Sequence, residues 1–511
     1  MKTTIVQTDV LIVGTGIAGL SCALELARLY PDKKITLLDK SFERECNTKY
    51  AQGGLAAVMD KNQDSFQAHI EDTLKAGNPG SLEHVVNYFV QNAPKAIDFL
   101  EKLGVGFDKD QHGNYQLGRE GGHSQFRIVH HKDWTGKFIQ DKLWQRITGT
   151  EQIQVLSGYF AKDLLGSKKR MGLGLKDCWG IKAYDLQSGF AIRILASMTI
   201  LATGGCGQLF LRTTNPNVAT GDGVAMAIRA GANVRDLHYY QFHPTALYSQ
   251  QGGRTLLLTE ALRGAGAYIV NDEGERFLWT GDQRGELATR DVVTCLIGKE
   301  LTNSGKNCAY LDARHLGKDF LEKEFPQVIA SCGQLGLHPA KHLLPILPAA
   351  HYQCGGIEVD IKGQSSINGL YAIGECASTG IHGRNRLASN SLTEGVVFAR
   401  ELAKGIEWPS SAGRHRVLTI DREGSDFLET GESVKVKFIR SALQKEMSQL
   451  MYDKDCRKVS GEISNTLNVW RQELRLEKVS KTMLELENML DVAIVLSQSL
   501  IENFSVHVEY N

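Results

Sequence analysis

Val10-Leu11-Ile12-Val13-Gly14-Thr15-Gly16-Ile17-Ala18-Gly19 decides the fold of this chain. The four apolar residues read as a buried strand, the glycines as a tight turn, and Leu20 to Leu29 as a helix. At this spacing Gly14 permits the turn, Gly16 lets backbone approach a pyrophosphate, and Gly19 lets helix and strand pack closely. A second strand, Ile35-Thr36-Leu37-Leu38, ends in Asp39, twenty residues after Gly19, where an acid would hold a ribose hydroxyl pair. Glycine triplets arise by chance, but strand, helix and carboxylate together make this one a dinucleotide site.

Far downstream, Gly369-Leu370-Tyr371-Ala372-Ile373-Gly374-Glu375 reads as another strand, ending in a carboxylate placed to accept hydrogen bonds from a ribose. It is followed by Gly383-Arg384-Asn385-Arg386-Leu387-Ala388-Ser389-Asn390-Ser391-Leu392. Asn390-Ser391-Leu392 opens a helix, and free N–H groups at a helix start suit an electron-rich ring or a phosphate. The segment looks like the second half of a flavin site.

Composition sets the outer bounds. With 511 residues the chain should hold two to four domains and a large core. Lys plus Arg equals Asp plus Glu, 58 of each, so no global field favours nucleic acid or an anionic membrane. No apolar run reaches the ~18 residues of a spanning helix, and the first strand begins too early for a targeting segment. Ten cysteines without C-x-x-C spacing point to reduced thiols in a cytoplasmic protein.

The pattern along the chain predicts an α/β fold. A Rossmann-like dinucleotide domain spans 1–235 and 345–407, interrupted by an α+β capping domain at 236–344. Within the first part, Met198 to Gly205 is a strand running into glycines, preceded by a small meander from Cys178 to Ile194. A linker at 408–433 leads to a C-terminal helical domain, 434–511, whose Ile439, Leu443, Met447, Leu450, Leu484, Met489, Ile494 and Leu496 are core residues.

Five further strings carry a family resemblance across nearly the whole chain. They are Tyr50-Ala51-Gln52-Gly53-Gly54, Gln241-Phe242-His243-Pro244-Thr245, Thr259-Glu260-Ala261-Leu262-Arg263-Gly264, Thr289-Arg290-Asp291 and His351-Tyr352. The chain resembles the flavoproteins of the succinate dehydrogenase and fumarate reductase group, and within it the L-aspartate oxidases. The resemblance implies FAD, held at one end by Gly14, Thr15, Gly16, Ile17, Ala18, Gly19, Asp39, Lys40, Ala202, Thr203, Gly204 and Asp222. Asn47, Thr48, Ala51, Gln52, Gly53, Gly54, Glu375, Asn390, Ser391 and Leu392 would complete the cofactor set. Membrane members of the group join a histidine covalently to the flavin in the segment ending Ala-Gln-Gly-Gly. Here Asn47 stands at that position, so non-covalent FAD is expected, with Asn47 and Thr48 able to hydrogen-bond it.

Arg119-Glu120-Gly121-Gly122-His123-Ser124 looks like the aspartate oxidase signature. A dicarboxylate bearing an ammonium group wants one negative charge among positive ones, and Glu120 would face that amine. By resemblance, His243, His351, Arg290 and Arg386 clamp the carboxylates, Thr259 adds a hydroxyl, and Gln241 and Glu260 orient the set. The implied reaction is hydride transfer from L-aspartate Cα to flavin N5, giving iminoaspartate for quinolinate and NAD synthesis. O2 or fumarate would reoxidise the flavin, and product could pass directly to a quinolinate synthase. Precedent makes Arg290 a proton shuttle; a guanidinium with pKa above about 12 is a poor base, so an electrostatic clamp is the alternative.

Two other functions fit less of the sequence: a soluble fumarate reductase or succinate-oxidising flavoprotein, which shares the clamp, and a flavin-binding sensor without turnover. His123 and His130-His131 read as structural, since no third ligand stands at zinc-like spacing. Two positions depart from the family pattern. Phe504-Ser505-Val506-His507 lacks the Arg-Gly that relatives place before the histidine, and Arg384 replaces a small residue.

Overall fold

A computed structural model describes residues 4–169, 174–248, 254–408, 431–452 and 456–503. His507 and most of the expected linker lie outside the described residues. The main sheet has seven strands, and its first six run in the order β3-β2-β1-β6-β5-β4. These are β1 (Thr4–Val13), β2 (Ile35–Asp39), β3 (Ile153–Ser157), β4 (Tyr159–Lys168), β5 (Leu175–Asp185) and β6 (Ala191–Leu201). β1, β2, β3 and β6 pair in parallel, while β4, β5 and β6 pair antiparallel. The meander expected from Cys178 is therefore the edge of the main sheet.

Val10, Leu11 and Ile12 are fully buried because both sheet faces are covered. On one face, α1 (Ile17–Leu29) is buried from Ile17 through Ala27. After β6 comes α2 (Asp222–Ala230), which sits on the other face.

The chain then builds a second sheet from β7 (Tyr240–Leu247), β8 (Tyr268–Val270), β9 (Ala309–Asp312) and β10 (Leu344–Gln353), ordered β7-β10-β9-β8 and antiparallel. The short helix α3 (Glu260–Gly264) and α4 (Arg290–Ser304) belong to this unit, whose own core includes Leu258, Leu262, Val293, Ile297, Leu311 and Ile346. β10 runs through position 345, where the sequence reading puts the return to the first domain, because it pairs with both β7 and β9.

The return to the main sheet is β11 (Leu370–Ala372), parallel to β6. This pairing carries Glu375 to the glycines after β6. α5 (Asn390–Gly405) then packs against α1. Three helices follow: α6 (Val434–Tyr452), α7 (Cys456–Leu474) and α8 (Lys481–Asn503). Their Leu443, Met447, Leu467, Leu484, Met489 and Leu496 share one core with Ile181, Ile194 and Val224. Among the described residues no helix is long and apolar enough to cross a membrane.

Candidate active site

A cavity of about 1680 Å³, including its mouth, runs from the first glycine turn to the loop between β11 and α5. The cavity lining stretches from Gly14 and Asp39 at one end to His243, His351 and Arg386 at the other. Its two ends differ in chemistry.

The dinucleotide end is built by backbone. Gly14 has φ +112°, and a Cβ there would lie 2.2 Å from the Ala202 carbonyl oxygen. A Cβ on Gly19 would lie 2.1 Å from the Gly14 carbonyl oxygen, so the third glycine packs the helix instead of lining the cavity. Thr48 Oγ1 accepts from the first helical amide, Ile17 N, at 3.0 Å, which anchors α1 to the next cavity segment. Asp39 accepts from Thr15 Oγ1 at 2.8 Å and Ser41 N at 2.9 Å, and burial raises its carboxyl pKa. Thr203 Oγ1 accepts from Gly223 N, at the start of α2. These residues fit an extended anionic dinucleotide: a glycine cradle and a helix N-terminus beside a buried acid.

Glu375 joins this end to the next. Its Oε1 accepts from Gln353 N at 3.1 Å and its Oε2 from Asn47 Nδ2 at 2.8 Å, while burial raises its pKa. The Asn47 side chain thus holds Glu375 across the cavity segment. Ala51, Gln52, Gly53, Gly54, Ser391 and Leu392 line the middle of the cavity, and Gln52 Oε1 is buried there without a partner among the described residues. Asn390 is a correction to the expected cofactor set. Its side chain turns to His69 Nε2 at 3.0 Å and Thr73 Oγ1 at 3.1 Å, tying the start of α5 to a neighbouring helix.

The other end is built by charge. Pro244 has no N–H to offer the ladder, and the β7–β10 pairing shifts register on both sides of Phe242-His243. That irregularity brings His243 and His351 edge to face, with ring centroids 5.0 Å apart. Arg290, the first residue of α4, donates to Glu260 Oε2 at 2.6 Å and Gln241 Oε1 at 3.0 Å. Arg386 donates to the same Gln241 oxygen at 3.1 Å and to Ser391 Oγ, and lies 4.3 Å over the Tyr352 ring. Gln241 therefore sets the spacing of the two guanidiniums without itself lining the cavity.

Glu260 also accepts from Arg263 at 2.6 Å and Gly121 N at 3.1 Å. Thr259 caps α3 and lines the cavity beside it. Glu120 is buried against Gly53, where a Cβ would meet its Oε1 at 2.5 Å, and accepts from Ser389 Oγ at 2.6 Å. Burial, then the nearby Glu260 charge, raises its pKa, against the pull of Arg290, Ser389 and Arg386. Burial, then Arg290, drives both His243 and His351 well below the ordinary histidine range, so both are neutral. Burial and Arg290 lower Arg386 to about 10, which still leaves it charged.

Several site residues escaped sequence reading. Ser389 joins Glu120 to Gly54 N and adopts a positive φ of 59°, a conformation no motif announces. Thr214 Oγ1 holds His351 Nδ1 at 2.8 Å, and Arg254 lies 3.3 Å over Tyr50 at the cavity wall. Arg384 does not line the cavity. His123 is spent on the Ala388 carbonyl and Arg127, and His131 stacks on Phe138.

The FAD binding domain family model matches residues 9–392. An L-aspartate oxidase of Ralstonia nicotianae is 43% identical over 400 residues, 78% of this chain and 74% of that protein. That of Vibrio cholerae is 43% identical over 405 residues. A chloroplastic L-aspartate oxidase of tobacco is 36% identical over 495 residues, 94% of this chain and 73% of its own. Among solved structures, Escherichia coli quinol fumarate reductase has TM-score 0.87 at 30% identity, covering 98% of this chain and 89% of that one. By these similarities the chain belongs to the L-aspartate oxidase family of FAD-binding flavoproteins.

Proposed function

We propose that this protein oxidises L-aspartate to iminoaspartate with non-covalently held FAD. The observation that carries this reading is a buried carboxylate, Glu120, beside a cavity end otherwise supplied with two guanidiniums. Arg290 and Arg386 each take one substrate carboxylate, spaced by Gln241. His243 and His351, being neutral, offer hydrogen bonds without adding charge. His243 Nε2 lacks a partner among the described residues and is the free contact at this end. Glu120 accepts the ammonium, a charge-assisted contact that succinate cannot make.

When bound, FAD accepts the hydride that leaves substrate Cα. The protein supplies orientation and charge balance around that carbon. Arg290, held by Glu260 and Gln241, acts as a clamp, because a guanidinium does not give up its proton at neutral pH. A clamp that needs Glu120 only for the amine also suits fumarate, so we propose fumarate alongside O2 as electron acceptor. We place the reaction in the cytoplasm, where the nine described cysteines stay unpaired as they are here, and pass its unstable product to a quinolinate synthase.

The test is product formation by the FAD-loaded protein supplied with L-aspartate, in air or under argon with fumarate. Oxaloacetate and ammonia, from hydrolysis of the imine, are expected in both. Under argon, succinate should match oxaloacetate one for one; absence of oxaloacetate and ammonia in both conditions would contradict the reading.

A further inference from the structure

The helix α8 packs behind the dinucleotide end of the cavity, touching two of its lining residues, Lys40 and Asp222. Glu485, Asn488 and Asp491 recur every third residue of α8, which places them on one face. All three are buried. Lys40 follows Asp39 at the cavity wall, and its ammonium donates to Asp222 Oδ2 at 2.8 Å, Glu485 Oε1 at 3.1 Å and Thr220 Oγ1 at 2.7 Å. Each of its three protons thus has an acceptor. Asp222, also on the wall, accepts at Oδ1 from Thr220 Oγ1 at 2.7 Å and Asn488 Nδ2 at 2.9 Å.

The helix residues are fixed in turn. Asn488 Oδ1 accepts from Arg229 Nη1 at 2.8 Å, and the same nitrogen reaches Asp491 Oδ2 at 2.6 Å. Glu485 Oε2 accepts from Arg440 of α6 at 3.3 Å. Arg440, Glu485, Asn488 and Asp491 lie past residue 392, where the FAD binding domain family model ends, while their partners Lys40, Asp222 and Arg229 lie within it.

We propose that α8 backs the FAD site: Glu485 and Asn488, from behind the cavity wall, hold Lys40 and Asp222 where the adenosine half of the cofactor is received. FAD binding and docking of the C-terminal helices are then one coupled equilibrium, and coupling of this kind is reciprocal. The inference rests on the FAD reading above. Glu485→Gln takes a charge from the Lys40 ammonium, and Asn488→Ala leaves Asp222 and Arg229 each short of a partner.

The test titrates FAD into the full-length apoprotein, following flavin fluorescence, for the wild type, Glu485→Gln, Asn488→Ala and Glu473→Gln. Glu473 pairs with Lys435 at 3.3 Å on the half-exposed side of the same helices and serves as control. FAD should bind roughly tenfold weaker or worse in the first two variants, the size of one charge-assisted hydrogen bond, and as in wild type in the control. In the wild type, FAD should slow amide exchange along α8, a readout that holds even if a variant fails to fold. Unchanged FAD affinity without protection of α8, or an equal loss in the control, would overturn the coupling. A wild type that binds no FAD would instead overturn the functional reading on which it rests.

Discussion

At the dinucleotide end of the cavity Gly14, Gly16 and Gly204 present backbone; a Cβ on Gly14 would collide with the Ala202 oxygen at 2.2 Å, whereas at Gly16 and Gly204 the nearest protein atoms stand at 3.4 and 4.0 Å and leave the space open. At the substrate end His243, His351, Glu120, Glu260, Arg290 and Arg386 line one cavity, and all but the half-buried His351 are out of water. A backbone cradle needs only close approach, whereas a charge cluster stands only if each member is answered by another. In the function proposed here, the first end would hold the cofactor mainly through close backbone approach, and the second would select the substrate by charge.

Changing Arg386 to Leu should break that comparison most severely. It removes one of two cations spaced by Gln241 and uncovers Ser391 and Tyr352. Breaking such a buried set costs about 3–5 kcal/mol, so kcat/KM for L-aspartate should fall by about three orders of magnitude. Flavin content should stay near wild type, because the cradle is untouched; steady-state kinetics with flavin absorbance checks both.

Gly14→Ala is the reverse experiment. Its Cβ would stand 2.2 Å from the Ala202 oxygen at φ +112°, a strain of about 1–3 kcal/mol. The variant should purify with little FAD and a lowered Tm, and unaltered flavin content would refute the close approach.

Glu120→Gln sharpens the charge end. L-Aspartate binding should weaken by about 1–3 kcal/mol, with smaller losses for succinate and fumarate. Equal losses for all three ligands would remove the role of Glu120 in reading the amine.

The smallest effect is on pH dependence. His243 and His351 stay neutral in the folded protein far below the ordinary value of 6.5 at which the unfolded chain takes up protons. Below that pH the unfolded state binds more protons, so the stability these residues contribute at neutral pH is lost progressively as pH falls. Thermal melts should show a shallower acid decline in His351→Gln than in wild type. Parallel curves would mean that the neutral state of His351 is not imposed by folding.

The cradle was legible in sequence because its physics is local. Gly14, Gly16, Gly19 and Asp39 lie within one βαβ unit, so their spacing alone carries the geometry. The charge end draws on β7, α3, α4, β10, the loop between β11 and α5 and the start of α5, and its residues became legible only as strings shared with a family. Ser389, Thr214 and Arg254 act through contacts between segments remote in sequence, which no local pattern encodes. Asn390 was misplaced for a related reason. The start of α5 lines the cavity through Ser391 and Leu392, while the Asn390 side chain faces His69 and Thr73.

The most direct test of the account is anaerobic reduction of the bound flavin by L-aspartate and by succinate at equal concentration. L-Aspartate should bleach the oxidised flavin band while succinate leaves it largely intact, and Glu120→Gln should narrow the gap. Bleaching by succinate as fast as by L-aspartate would contradict a cavity whose buried carboxylate exists to read an amine.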